Sequence, residues 1–257
     1  MIDTNLLIND LNLIREKSPL VHNITNYVVM NNTANGLLSL GASPVMAHAP
    51  EEVEDMVSIA SALVINMGTL SKHWVEAMLK AGKKAKKIGI PVIFDPVGAG
   101  ATAYRSETAS IIIKECKPDI IRGNASEIMS LAKSNIATKG VDSTANSESA
   151  LEMGKDLALK IDAVISISGQ EDFITDGKIV NTVKFGSPMM TKVTGLGCTA
   201  SAITGAFAAV NKNLLTAATH AMAIMGIAGE LAAKKAEGPG SLQLHFLDIL
   251  FNINKYV

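Results

Sequence analysis

LVINMGTLSKHWVEAMLKAGKKAKKIGIPVIFD, Leu63 to Asp95, is the stretch that decides the fold. A short apolar, β-branched run, Leu63–Met67, leads into a helix-like segment, Ser71–Ile88, and then into a second such run, Pro91–Phe94. Neither run alternates apolar with polar residues, which is the pattern of parallel strands covered on both faces. The alternation continues, with Ile120-Ile121 and Ala163–Ile167 reading as strands and Ser106–Lys114 and Glu148–Lys160 as helices. Asp172–Val183 carries Asp176-Gly177 between two β-like runs, a hairpin signal after the last parallel strand. Everything after Gly197 is helical in pattern, broken at Gly238-Pro239-Gly240. Asn135–Ser149 is polar and reads as an exposed loop. The expectation is an α/β sandwich of three layers, a mainly parallel sheet with helices on both faces, in one domain over residues 1–257.

Composition narrows the function. Of 257 residues 48% are hydrophobic and 18% charged, and the net charge is −1, so no general attraction to nucleic acid or anionic lipid is expected. Aromatic residues are only 4%, too sparse for a base-stacking surface. Met1–Leu11 mixes Asp and Asn with Leu and does not read as a signal peptide. The most apolar stretch, Leu214–Gly229, is too short for a bilayer, carries Thr216, Thr219 and His220, and reads as a buried helix. The two cysteines, Cys116 and Cys198, fit a reduced cytoplasmic protein, and neither has a second Cys or His at zinc-ligand spacing. Cys116, flanked by apolar residues, reads as a small packed side chain.

Ligands of open parallel sheets bind at the carboxyl ends of the strands. The residues there are Gly68, Asp95, Arg122-Gly-Asn124 and Ser168-Gly169, a polar set suited to phosphate and a divalent cation. In DPVGAGATAYR, Asp95 follows a buried strand and Gly98-Ala-Gly100 lets backbone approach a ligand; a capped turn is the plainer reading. In RGNASEI, Asn124 and Glu127 have the spacing of a helix cap and its capping-box partner, and equally of a magnesium and phosphate site beside Arg122. Ser168-Gly169 suits either a phosphate oxygen or a turn before a hairpin. In KVTGLGCTASAITGAF, Lys192–Phe207, Gly195 and Gly197 open a helix whose free amides suit an anion, and the Cys198 thiol beside them reads equally as a packed small hydrophobe or as a chemical group next to a phosphate. Leu20–Val53 is rich in amides, among them Asn23, Asn26 and Asn32. Most of these read as caps of a helix packed through Val28, Val29 and Leu37, while Val45–His48 suits a small apolar pocket. His73 and His220 read as structural.

In this order, HNITNYVVMNNTANGLLSLGASPVM, DPVGAGAT, GNASE and TGLGC resemble the hydroxyethylthiazole kinases of thiamin salvage, within the ribokinase-like kinases, from about Leu20 through the helix after Cys198. The resemblance implies ATP- and Mg²⁺-dependent phosphorylation of the primary alcohol of 4-methyl-5-(2-hydroxyethyl)thiazole, in a homotrimer with active sites at its interfaces. It implies substrate contacts at Met46 and Gly195, ATP contacts at Arg122 and Ser168, metal and phosphate roles for Asp95 and Glu127, and a catalytic Cys198. Ser168 departs from the family's threonine but keeps the hydroxyl. Cys198 stands where the wider kinase fold has Asp, as it does in the thiazole kinases.

The reading that follows gives the Gly195–Cys198 amides the charge on the transferring phosphoryl group, and gives Cys198 the task of accepting or orienting the proton of the alcohol. A helix N-terminus lowers a thiol pKa and a nearby triphosphate raises it, so the sequence leaves the direction open. Three rivals stand beside it: a kinase for another small alcohol such as a hydroxymethylpyrimidine, a thiol-dependent hydrolase using Cys198, and a nucleotide-binding sensor.

Overall fold

The structure is a computed structural model and describes residues 2–135 and 147–257. The helices are α1 (Thr4–Lys17), α2 (Met30–Leu40), α3 (Val53–Ile59), α4 (Lys72–Ile88), α5 (Ala103–Cys116), α6 (Ala125–Asn135), α7 (Ser147–Ile161), α8 (Leu196–Val210), α9 (Leu214–Lys235) and α10 (Pro239–Phe251). The strands are β1 (Leu20–Ile24), β2 (Ser43–Val45), β3 (Ala62–Asn66), β4 (Val92–Asp95), β5 (Ile120–Asn124), β6 (Val164–Ser168), β7 (Asp172–Thr175) and β8 (Val180–Val183). They form one sheet in the order β2-β1-β3-β4-β5-β6-β7-β8. Pairing is parallel from β2 to β6 and antiparallel through the terminal β7–β8 hairpin. Gly177 takes the positive φ, 89°, that its turn requires. Most of the polar loop expected over Asn135–Ser149 lies outside the described residues.

The unalternating strands are explained by two cores, one on each face. Val64, Ile93 and Ile120 face α1, α2, α8, α9 and α10; Leu63, Ile65, Phe94 and Ile121 face α3 to α7. Helix α4 shows how the sequence writes one cover. The Ser71 hydroxyl caps its start, Trp74, Ala77, Met78, Ala81 and Ala85 bury one stripe, and Gly89 ends it at φ 78°. On the other face α8 is built of small residues. At Gly205 a Cβ would stand 2.9 Å from Val64 and 3.1 Å from Val21, so this helix lies close on the sheet centre. Its first turn is thereby set over the carboxyl ends of β3 and β4.

Three expectations change. Within Leu20–Val53 the expected helix, α2, starts only at Met30, between β1 and β2, and Val28 is 64% exposed rather than packed, while Val29 and Leu37 are buried as expected. His22 and Asn23 interrupt the apolar run of β1 yet are themselves buried, which hides the strand from a pattern reading. Helix α9 runs on to Lys235, and on length and composition it could cross a membrane. Most of it is nevertheless buried against its neighbours, as the sequence reading of a core helix requires.

Candidate active site

Four elements meet at the carboxyl edge of the sheet centre. Asn66 ends β3 and Asp95 ends β4, and the two are direct partners in the parallel register. Asn66 Nδ2 donates to Asp95 Oδ2 at 2.8 Å, and Ser201 Oγ, on α8, donates to the same oxygen at 2.7 Å. Asn26, in the loop after β1, donates from Nδ2 to Asn66 Oδ1 at 2.9 Å and to Cys198 Sγ at 3.5 Å. Asp95, Asn66, Ser201 and Asn26 are all buried. Burial pushes the Asp95 carboxyl up to about 6; the Arg122 charge and the bonds from Ser201 and Asn66 oppose this, and the Glu127 charge adds to it. Burial, then the Asp95 charge, push the Cys198 thiol up to about 11 against the Asn66 and Asn26 amides and Arg122. The direction left open by the sequence is therefore upward, and Cys198 carries its proton at neutral pH.

Beside this cluster α8 begins. Gly195 is its N-cap, with φ 87°, and its carbonyl accepts from Thr199 N at 2.8 Å. The geometry of a helix start leaves the Leu196, Gly197 and Cys198 amides without intrahelical partners. Asn32 Nδ2 holds the Thr194 carbonyl at 3.3 Å, and Gln243 Nε2 holds Asn32 Oδ1 at 2.8 Å, which fixes the chain entering the turn. Arg122, from β5, donates from Nη1 to the Gly197 carbonyl at 3.1 Å, and its Nε is buried without a partner. A cation and a set of free amides thus adjoin a buried carboxyl, an arrangement suited to a transferring phosphoryl group.

Glu127 does what a capping box requires. Its Oε2 accepts from Asn124 N at 2.8 Å, and Asn124 Oδ1 accepts from Glu127 N at 3.0 Å. The other oxygen, Oε1, accepts from Gly98 N at 2.8 Å, so Glu127 also clasps the glycine loop after β4. Arg105 grips that loop from its other side. Its Nη1 donates to the carbonyls of Met67 and Val97, each at 2.7 Å, and its Nη2 to that of Gly68 at 2.8 Å.

Ser168 ends β6 opposite Asn124, and its hydroxyl donates to the Gly123 carbonyl at 3.3 Å. Met46 follows the outermost strand, β2, on the same edge but beyond β1; it is not part of the hydrogen-bonded cluster. His22 Nε2 lies 2.7 Å from the Ala47 carbonyl, which holds the segment after Met46. A cavity of about 400 Å³ lined by Arg15, Ser18, Gly41 and Phe251 lies at the opposite edge of the sheet. There Arg15 is engaged with the carbonyls of Leu40, Leu250 and Phe251.

The sequence thus brings Asp95, Arg122, Glu127, Ser168, Gly195, Gly197 and Cys198 to one edge. It misses Asn66, Ser201 and Arg105, and it counts Asn26 among helix caps. Asn66 was within reach of the strand-end rule, since it closes an apolar run one strand from Asp95. Ser201 sits one turn beyond Cys198, hidden among small helix residues.

The chain is similar to known proteins over nearly its whole length. The hydroxyethylthiazole kinase family model matches residues 11–256. A hydroxyethylthiazole kinase of Leptospira biflexa serovar Patoc is 59% identical over 247 residues, 96% of this chain and 92% of its own length. The solved structure of a hydroxyethylthiazole kinase from Pyrococcus horikoshii OT3 superposes with a TM-score of 0.90 at 40% identity, covering 98% of this chain and 97% of that one. A ribokinase-like superfamily protein from Enterococcus faecalis V583 shares the fold, with a TM-score of 0.65 at 15% identity over 91% of this chain and 86% of that one.

Proposed function

The chain belongs to the hydroxyethylthiazole kinase family, and we propose that at this edge it transfers the γ-phosphoryl group of ATP to the primary alcohol of 4-methyl-5-(2-hydroxyethyl)thiazole, the thiamin salvage step. The observation that carries the reading is the meeting of Arg122 and the α8 first turn, joined at Gly197, with the Asp95–Asn66–Asn26–Cys198 cluster. Phosphoryl transfer asks mainly for positioning and charge stabilisation, and these groups supply both. The free amides of Gly197 and Cys198 and the Arg122 guanidinium take the charge of the phosphate oxygens. The protonated thiol, held on Asn26, orients the alcohol. A thiol at about 11 stays protonated and does not take the alcohol's proton, which leaves late, to an oxygen of the transferred phosphate or to solvent, as a loose transition state allows.

Among the described residues no three His, Cys, Asp or Glu side chains form a metal cage. Magnesium needs none, because it takes one or two carboxylates and completes its shell with water and phosphate. Asp95 and Glu127 fit that demand. The described bonds to Asp95 reach only Oδ2, and both Glu127 oxygens already accept a backbone amide, which favours contact through water at Glu127. When bound, the ion neutralises phosphate charge.

Arg122 and Ser168 hold the nucleotide, and Met46 and Gly195 the thiazole. We extend the reading to a cytoplasmic homotrimer whose interfaces complete each site. Tyr27 and Val28, 65% and 64% exposed beside Asn26, support it as an apolar pair on this edge that a partner would cover. Against the hydrolase alternative, no imidazole bonds the thiol among the described residues: Cys198 is paired with Asn26, His22 faces the Ala47 carbonyl and His48 that of Met46. The test is an ATP-dependent assay with hydroxyethylthiazole, following the phosphorylated product, with a hydroxymethylpyrimidine as competing acceptor. No thiazole phosphate, or faster turnover of the pyrimidine, overturns the assignment.

A further inference from the structure

Four hydrogen bonds around Asp95, joined through one turn of α8, close into a loop. From Asp95 Oδ2 the path runs to Asn66 Nδ2 at 2.8 Å, from Asn66 Oδ1 to Asn26 Nδ2 at 2.9 Å, and from there to Cys198 Sγ at 3.5 Å. It then passes one turn along α8 to Ser201, whose hydroxyl returns to Asp95 Oδ2 at 2.7 Å. We propose that Asn66 is a positioning residue that couples the Asp95 carboxyl to the Asn26–Cys198 pair, so that the phosphate side and the alcohol side of the site are set as one unit. The inference rests on the phosphotransfer reading above.

Donor and acceptor capacity fixes the orientation of both asparagine amides. Asn66 Oδ1 takes two donors, Asn26 Nδ2 and Gly68 N at 3.0 Å, while its Nδ2 faces the carboxylate. A flipped amide would set NH₂ against two donors and a carbonyl against a carboxyl group, so only one orientation satisfies the site. Asn26 is equally constrained. Its Oδ1 accepts from Val28 N at 3.2 Å, and its two Nδ2 protons go to Asn66 and to the sulfur. Sγ is thus held as an acceptor, and its own proton is directed away from Asn26, toward the place an alcohol oxygen must take. Gly68 completes the fit, because a Cβ there would overlap the Asn26 side chain. Asn66 itself is 1% exposed and acts only through its neighbours. Buried polar chains of this kind behave as units, and their energies are not additive.

The experiment is a double-mutant cycle on kcat with saturating ATP, magnesium and hydroxyethylthiazole. Asn66→Ala and Asn26→Ala each lower kcat by about 10-fold, KM for either substrate stays within about 3-fold, and the double variant loses about 10-fold rather than about 100-fold. Thermal melting confirms that each variant is folded. If Asn66→Ala does not fold, Asn66→Ser, with a smaller polar side chain at the same place, replaces it in the cycle with Asn26→Ala, and the same two outcomes decide. Losses that multiply, or an Asn66→Ala variant with wild-type kcat, overturn the coupling while an active wild type leaves the kinase reading standing. Wild-type protein that forms no thiazole phosphate overturns both.

Discussion

Arg122 Nη1 donates to the Gly197 carbonyl at 3.1 Å, tying a cation of the central sheet to the helix turn that faces the site. A Cβ at Gly197 would stand 3.0 Å from that same nitrogen, so the contact depends on the absence of a side chain. Lysine brings a point charge without the guanidinium fork and cannot hold Gly197 and a phosphate oxygen together. Arg122→Lys is therefore expected to lower kcat/KM for ATP by about 10- to 100-fold, in keeping with roughly 1.5–3 kcal/mol for a hydrogen bond to a charged group. Steady-state kinetics checks this, and a lysine variant with wild-type kcat/KM removes Arg122 from the nucleotide site.

A thiol raised to about 11 sets the expectation at Cys198. General-base help is worth roughly 10²–10⁴-fold, and a protonated orienting group sits at or below the bottom of that range. Cys198→Ala should lose about 10- to 100-fold in kcat with KM for ATP little changed, and Cys198→Asp should stay active. The wild-type pH–rate profile should show no limb from a thiol between pH 6 and 9. An alanine variant as fast as wild type would end any catalytic role for this side chain.

What the sequence makes legible follows from what is local. The strands β3 to β6, the hairpin and the helices after Gly197 are written in apolar runs and turn residues, and so are Asp95, Arg122 and the glycines at the strand ends. The strand β1 is not, because His22 and Asn23 are buried polar residues inside its apolar run; His22 meets the Ala47 carbonyl, and Asn23 donates to the Val21 carbonyl of its own strand. Asn66 shows the same limit. Its role depends on the Asn66–Asp95 register and on Asn26, forty positions away, and no local pattern encodes either. Glu127 shows a different one, since cap and metal ligand share a spacing, and the structure adds a third task, the clasp on Gly98.

Asp95 links the site to stability. Its carboxyl is raised from an ordinary 3.8 to about 6. Below pH 3.8 it is protonated whether the chain is folded or not, and contributes nothing. Between 3.8 and about 6 the folded chain keeps a proton that the unfolded chain has lost, so this contribution to stability falls as pH rises. Above about pH 6 the cost is complete, and the gap corresponds to about 3 kcal/mol. Asp95→Asn should therefore raise Tm at pH 8 in the absence of ligands, leave it nearly unchanged at pH 4, and lose activity at both. Equal Tm differences at the two pH values would mean that the carboxyl is not destabilising when ionised.

Glu127→Gln separates clasp from metal role. A glutamine can turn one oxygen toward Gly98 N or Asn124 N, but it must then set an NH₂ against the other donor. Asn124 is exposed and Gly98 half-buried, so losing one of these bonds costs roughly 0.5–1.5 kcal/mol, which melting reads as a slightly lower Tm. If Glu127 also holds magnesium through water, the magnesium concentration for half-maximal rate rises. A lower Tm with an unchanged magnesium titration leaves Glu127 as the clasp of the glycine loop alone.

Gly195 and Gly197 should fail for different reasons. Gly195 has φ 87°, and a Cβ there would stand 2.9 Å from Val29, a buried residue at the start of α2. Gly195→Ala thus meets a left-handed backbone penalty of roughly 1–2 kcal/mol and a neighbour without room to move. At this chain length Tm falls by about 2–4 °C per kcal/mol, and kcat falls with it because the α8 amides are re-aimed. Gly197 is not among the positive-φ glycines, and the neighbour of its added Cβ is the end of a flexible arginine. Gly197→Ala should keep Tm near wild type while kcat/KM for ATP drops toward the Arg122→Lys value, because the methyl displaces the same guanidinium. Melting curves and kinetics on the two variants decide this, and a Gly197→Ala protein that melts early but keeps full kcat/KM would reverse the assignment of the two glycines.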